Sequence, residues 1–196
     1  MNHLAHLFLA GDTAESLLGN LAGDFVKGRL RDEFPPAVRR GILEHRRIDE
    51  FTDTHPEAGA FRRIIVAEQG HYARVIADMF FDHFLASNWR DYSHETLESF
   101  LERVFSKLDP LIPVMPDGLK HVYPHMRDGR WLISYREIGG IRTALSNMSY
   151  RFSRRPRLET AVHLLEDSRS TLERHFQRFF PEVIAFARAI RVSSRP

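Results

Sequence analysis

The sequence predicts an all-α fold, a single-domain helical bundle. Three observations lead there: apolar residues recur at a helical period of about 3.6 nearly throughout, Pro, Gly and capping residues punctuate that pattern, and neither a strand alternation nor an internal repeat interrupts it. With 196 residues, 43% hydrophobic and 28% charged, the chain has enough apolar surface for one good core. Residues 1–191 are therefore read as one domain.

Taken in order, Thr13 caps a helix from Glu15 to about Arg29, and Pro35-Pro36 opens one that runs to about Thr52. His55-Pro56 breaks the pattern. A third helix spans Glu57 to Glu68, and after Gly70 a fourth spans His71 to Asn88, apolar nearly all round and so expected at the centre. Ser93 is the expected cap of the stretch ending near Leu108. The three prolines of DPLIPVMP predict an extended connection. Shorter helices are expected over Asp117–Met126 and Glu137–Met148. Pro156 starts one that ends near Leu165, and Leu172–Arg191 completes the bundle with a bend at Pro181. The tail VSSRP, residues 192–196, is expected to be disordered.

Composition excludes several chemistries. No cysteine is present, which removes disulfides, thiolate zinc sites and thiol nucleophiles, so a metal site would have to use His, Asp, Glu, Asn or main-chain oxygen. No apolar run approaches the ~20 residues of a membrane span, and the first residues lack a basic leader. A cytoplasmic protein without a membrane partner is expected. Net charge is only +2, yet Lys27, Lys107 and Lys120 are the only lysines. The remaining cations are arginines, whose planar fork suits phosphate and carboxylate, although a GC-rich genome gives the same bias.

Two stretches place polar groups where apolar ones belong. In LEHRRIDEFTD, residues four apart stack on one helical face, so His45, Asp49 and Asp53 form a ladder within the arc of Val38, Ile42, Ile48 and Thr52. In ADMFFDHFL, Asp78 and Asp82 form a second ladder. An unpaired buried carboxylate neutralises or finds a partner, so carboxylates and imidazoles converging from two helices point to a bound cation. The competing readings are a core histidine bonded to an aspartate, and a buried pair bridged to arginines such as Arg74. His3 and His6 lie one turn apart. Asn20 and Asp24 share a face beside Gly19, Ala22 and Gly23, whose small size admits a close neighbour.

Seven ordered blocks then carry a resemblance: NHLAHLFLA, GNLAGDFVKG, the FPP turn, HRRID followed by TD, DxxxDHFL, the WLxxYR segment from Trp131 to Arg136, and SRRPRL. Together they resemble the acyl carrier protein phosphodiesterase family, also called acyl carrier protein hydrolases, nearly end to end. That resemblance implies hydrolysis of the phosphodiester that joins 4'-phosphopantetheine to the serine of holo-acyl carrier protein, in fatty acid biosynthesis. It also implies a divalent cation, typically Mn2+, and a likeness to the HD-domain phosphohydrolases, whose metal is held by His and Asp from several helices. The sequence departs from their pattern in one respect. Its doublet is reversed, Asp82-His83, and two such neighbours point about 100° apart.

The expected metal ligands are a subset of His6, Asp24, His45, Asp49, Asp78, Asp82 and His83, with His6 and Asp24 favoured by the matching blocks. Asp24, His45 and His83 are the candidate catalytic groups, one of the imidazoles serving as acid for the departing serine. Arg46 and Arg47 flank the first ladder and Arg136 ends its block, so these could clamp phosphate. Arg154, Arg155 and Arg157 sit at a helix entrance, where the macrodipole disfavours cations, which suggests an acidic carrier protein as partner. Two other classes remain open: a metal phosphohydrolase acting on a nucleotide, and a non-catalytic module holding an acidic partner. No continuous basic stripe with interleaved aromatics is present, so nucleic acid is not expected.

Overall fold

The computed structural model describes residues 1–30 and 33–193, and among them every regular element is helical. Twelve α-helices occur among the described residues: α1 His3–Leu9, α2 Ala14–Ala22, α3 Pro36–Thr54, α4 Pro56–Gln69, α5 Ala73–Ser87, α6 Trp89–Tyr92, α7 Leu97–Leu108, α8 Asp117–Asp128, α9 Trp131–Ser134, α10 Ile138–Ser149, α11 Val162–Asp167 and α12 Arg169–Ser193. The expected all-α class is what the chain adopts. Val192 and Ser193, assigned above to a disordered tail, belong to the last turns of α12, and residues 194–196 lie outside the described residues.

α5 is the central helix. Eleven of its side chains from Ala73 to Ala86 are buried, as a helix apolar nearly all round must be. α4 packs on one side of it and α12 closes over α3 and α4. The aromatic centre of the core joins these elements. Phe61 on α4 lies 4.6 Å from Phe81 on α5, and Phe176 stacks at 4.9 Å on Phe180 of α12, spacings that add ring–ring attraction to burial.

Several boundaries differ from expectation for identifiable reasons. Thr13 caps α2 by accepting from Ser16 N at 3.2 Å, but the helix ends at Ala22 and a 3-10 turn, Gly23–Phe25, follows. α7 is capped by Thr96, which accepts from Ser99 N at 3.1 Å, and not by Ser93. DPLIPVMP is not extended: Asp109–Val114 forms a 3-10 helix, because the fixed φ of proline suits that helix as well as an extended chain. The segment after Pro156 splits into a 3-10 turn, Leu158–Ala161, and α11. Pro181 lies inside α12 without ending it.

Two close approaches set the geometry around α3. A Cβ on Gly19 would stand 2.6 Å from Gly41 Cα and one on Gly41 2.9 Å from Gly19 Cα, so glycine at both lets the backbones of α2 and α3 touch. The short α1 is fixed from α5 instead. Asp82 accepts from Leu4 N at 2.8 Å and Ala5 N at 3.1 Å, filling the place of an N-cap for orphan amides of the first turn. That bond aims His3 and His6 at α3.

Candidate metal centre

His45 lies on the buried face of α3 and is 3% exposed. Its Nδ1–H donates to the main-chain oxygen of Asn20 at 2.8 Å, which leaves Nε2 facing Asp49 Oδ2 at 3.2 Å and Asp24 Oδ1 at 3.6 Å. A carbonyl that fixes the tautomer in this way is the usual support of a metal-ligating imidazole. His6 comes from α1, its ring stacked on that of His45 with 3.7 Å between centroids and its Nε2 3.1 Å from Asp49 Oδ1. Its buried Nδ1 has no hydrogen-bond partner. His6, His45 and Asp49 each bring one ligand atom within 4.8 Å of the other two, the one such group among the described residues. The site is compatible with a divalent cation of mixed nitrogen and oxygen preference.

Asp24 extends this group toward solvent. It sits in the 3-10 turn after α2, with 39% of its side chain accessible, and its Oδ2 lies 3.7 Å from His3 Nδ1. Gly23 just before it lies so close to the His45 ring that any Cβ would clash. Arg46 holds the same turn, donating to Val26 O at 2.9 Å. Sequence order thus puts His3 and His6 on α1, Asp24 after α2, and His45 and Asp49 on α3 around one point.

Electrostatics there are strongly skewed. Burial would push the His45 imidazole down, but hydrogen bonds to Asp24 and Asp49 outweigh it and raise the group to about 9. Burial lowers His6 and His3 to about 4, His45 adding to the effect on His6. For Asp49, burial is overcome by the Met1 ammonium, His45 and His6, which hold the carboxylate far below its ordinary range. Asp24 is likewise held low against burial by its bond to His45 and by His3.

The second ladder is used differently. Asp78 Oδ1 is 3.1 Å from the Met1 ammonium, which also touches Asp49 Oδ1 at 3.2 Å. The Met1 ammonium thus links Asp78 to Asp49, and burial nonetheless keeps Asp78 above its ordinary pKa. Asp82 is wholly buried and both of its oxygens serve α1. Burial raises it to about 7 against the pull of those two amides. His83 points elsewhere, as the 100° rule anticipates. Its Nδ1–H donates to Tyr135 O at 2.8 Å and its Nε2 faces Arg169 at 3.4 Å. Neither Asp82 nor His83 joins the triad, and Asp53 leaves the first ladder to pair with Arg62 and Arg74.

The arginines scatter. Arg47 lies over the Phe186 ring at 5.8 Å, Arg136 is paired with Glu98 at 2.5 and 3.0 Å, Arg155 covers Tyr150 at 4.9 Å, and Arg157 is 3.6 Å from Glu159. Arg154 is exposed. One further arginine stands near the site: Arg151 lines the same cavity as His3, and its charge adds to the burial that disfavours protonation of His3. It stands three residues before the Arg154 cluster, and no pattern of spacing marked it.

A family model described as acyl carrier protein phosphodiesterase matches residues 1–183. The chain belongs to the acyl carrier protein phosphodiesterase family. Relatives named acyl carrier protein phosphodiesterase include one from Serratia proteamaculans, 36% identical across 96% of this chain and 98% of the relative. One from Yersinia enterocolitica is 34% identical across 95% and 97%, and one from Yersinia pestis 35% across 94% and 96%. No solved structure matches the chain. Membership in the acyl carrier protein phosphodiesterase family makes the chain an enzyme, and no helix among the described residues is long and apolar enough to cross a membrane.

Proposed function

We propose that this enzyme releases 4'-phosphopantetheine from the serine of holo-acyl carrier protein, leaving apo-protein, in the cytoplasm and with a divalent cation, Mn2+ first among candidates. One observation carries the reading: two imidazoles and two carboxylates from three segments converge, with the His45 tautomer fixed by Asn20 O so that Nε2 faces inward. His6, His45 and Asp49, with Asp24 on the solvent side, are the residues that would hold the cation. Bound there, it supplies Lewis acidity toward water and the phosphate oxygens.

The chain's own groups do the rest. Asp24 is the most accessible carboxylate of the group and can orient the attacking water. As water adds to phosphorus, the bond from phosphorus to the serine oxygen breaks and that oxygen needs a proton. His83, whose two ring nitrogens face Tyr135 and Arg169, is turned away from the group, and His3 beside Asp24 is held neutral by burial, so the attacking water supplies that proton. Asp78 acts through Asp49 and Asp82 through α1, both as positioning residues.

Mass spectrometry of holo-carrier protein incubated with the enzyme tests the reading, with Mn2+ or chelator and with nucleotides in parallel. Loss of the arm only in the Mn2+ sample is expected. An intact holo-protein beside cleaved nucleotides would replace this reading with the nucleotide one.

A further inference from the structure

A cavity of about 240 Å3 opens on the far side of His3, between the first residues of the chain and the α9–α10 layer. His3 belongs to both places: its ring lines the cavity, and its Nδ1 meets Asp24 of the candidate metal centre. The lining is mixed. Trp131, Ala144 and Met148 give it apolar surface, whereas Thr143 and Asn147 present polar side chains one helical turn apart on α10. Arg151, exposed, completes the wall. Apolar walls with a few placed polar groups and one cation suit a slender ligand with amides along its length and an anion at one end.

We infer that this cavity receives the pantetheine arm of the carrier protein, with Thr143 and Asn147 meeting its amides and Arg151 pairing with its phosphate. The inference rests on the hydrolase reading above, because that reading places the phosphate beside Asp24 and so requires the arm to leave the centre through a neighbouring space. His3 is the wall that the two places share, so the cavity lies directly beside the centre. A protein face alone would not need such a space. The arm enters as a thread, and the carrier protein stays outside.

The test is calorimetric binding of free 4'-phosphopantetheine, the product, to the Mn2+-loaded enzyme, so that no turnover occurs. Asn147 and Thr143 are exposed, so Asn147→Trp fills the cavity without entering the core, and Thr143→Trp repeats the block from the adjacent turn. Either substitution is expected to weaken binding at least tenfold and to raise KM for holo-carrier protein, with affinity for apo-carrier protein kept. Arg151→Gln is expected to abolish the preference for 4'-phosphopantetheine over pantetheine. Unchanged affinity in both tryptophan variants, or no saturable binding to the parent enzyme, overturns the subsite. If the arm binds in this manner while holo-carrier protein stays intact, the subsite stands and the hydrolase reading falls. If hydrolysis proceeds unaltered in Asn147→Trp, the reverse holds.

Discussion

The rings of His6 and His45 lie face to face, 3.7 Å apart, and Asp49 bridges both of their Nε2 atoms at 3.1 and 3.2 Å. Two imidazoles so close cannot both be cationic. His6 is lowered to about 4 and His45 raised to about 9, so near neutral pH the cation-free pair holds one proton beyond the two neutral rings, on His45 between Asp24 and Asp49. A divalent ion would take the place of that proton and satisfy the same oxygens and nitrogens at once.

Asp49→Ala removes the bridge between the rings. Metal content after dialysis, read by inductively coupled plasma spectrometry, is expected to fall to background, and activity by more than about 100-fold, exceeding the effect of losing a supporting partner. Helicity should persist, since Asp49 lies at the edge of the core. Retained metal with full activity would remove Asp49 from the ligand set.

The stability of chelated protein should depend on pH in two opposite limbs. His45 has a folded value raised from 6.5 to about 9, so its contribution is fully present below 6.5 and is lost as pH rises through 9, roughly 3 kcal/mol in all. His3 and His6 have folded values lowered to about 4. The unfolded chain takes up their protons first, so stability is lost as pH falls from 6.5 toward 4. Urea titrations of the chelated protein should therefore show greatest stability near 6.5. His45→Gln should remove the part of the alkaline limb between 6.5 and about 9 and leave the part above 8 that the buried Met1 ammonium, raised to about 11, contributes, and a flat profile in the parent protein would refute the shared-proton arrangement.

Gly23→Ala is expected to be harmful although alanine is the better helix former. The new Cβ would overlap the His45 ring, and the ring has no free direction because its Nδ1 is tied to Asn20 O. Overpacking of this kind costs about 1–3 kcal/mol. Thermal unfolding should report that loss, and metal affinity should fall with it. An unshifted Tm with normal affinity would show that the contact relaxes.

Much of the fold was legible in the sequence because the apolar period is long and its helix starts are well marked, as by the Thr13 cap and by Pro56 in the first turn of α4. The misjudged ends at Ala22, Thr96 and Asp109 are places where tertiary contacts or 3-10 geometry decide. The first ladder was readable because His45 and Asp49 lie one turn apart within an apolar arc. The use of Asp82 was not, since its partners are main-chain amides 77 and 78 positions away, and amides have no signature in side-chain pattern. Arg151 escaped for a related reason: its neighbour His3 lies at the other end of the chain.

Asp82 illustrates how the two aspartate ladders separate in experiment. Asp82→Ala leaves the Leu4 and Ala5 amides without an acceptor, which should cost about 2–4 kcal/mol. Asp82→Asn keeps one acceptor oxygen and cannot ionise, so it should cost less, and its cost relative to the parent should shrink as pH rises from 3.8 to 7, because the parent carboxyl, raised to about 7 by burial, loses its contribution over that range. Activity per folded molecule should survive in Asp82→Asn, unlike Asp49→Ala. A metal-free, inactive but stable Asp82→Asn would return Asp82 to the ligand set.

Charge reversal across Arg154, Arg155 and Arg157 addresses docking. All three are exposed, and they follow Arg151, which lines the cavity, within six residues of the chain. Exposed cations add little to folding but attract an acidic partner over a Debye length of about 10 Å at 0.1 M salt. Arg155 holds a left-handed φ of 42° and lies over Tyr150, which fixes part of the patch in place. Replacement of all three by Glu is expected to raise KM for holo-carrier protein, leave kcat nearly unchanged and flatten the dependence of kcat/KM on salt. If KM at low salt is unaffected, the carrier protein docks on another face and these arginines are solvated charge.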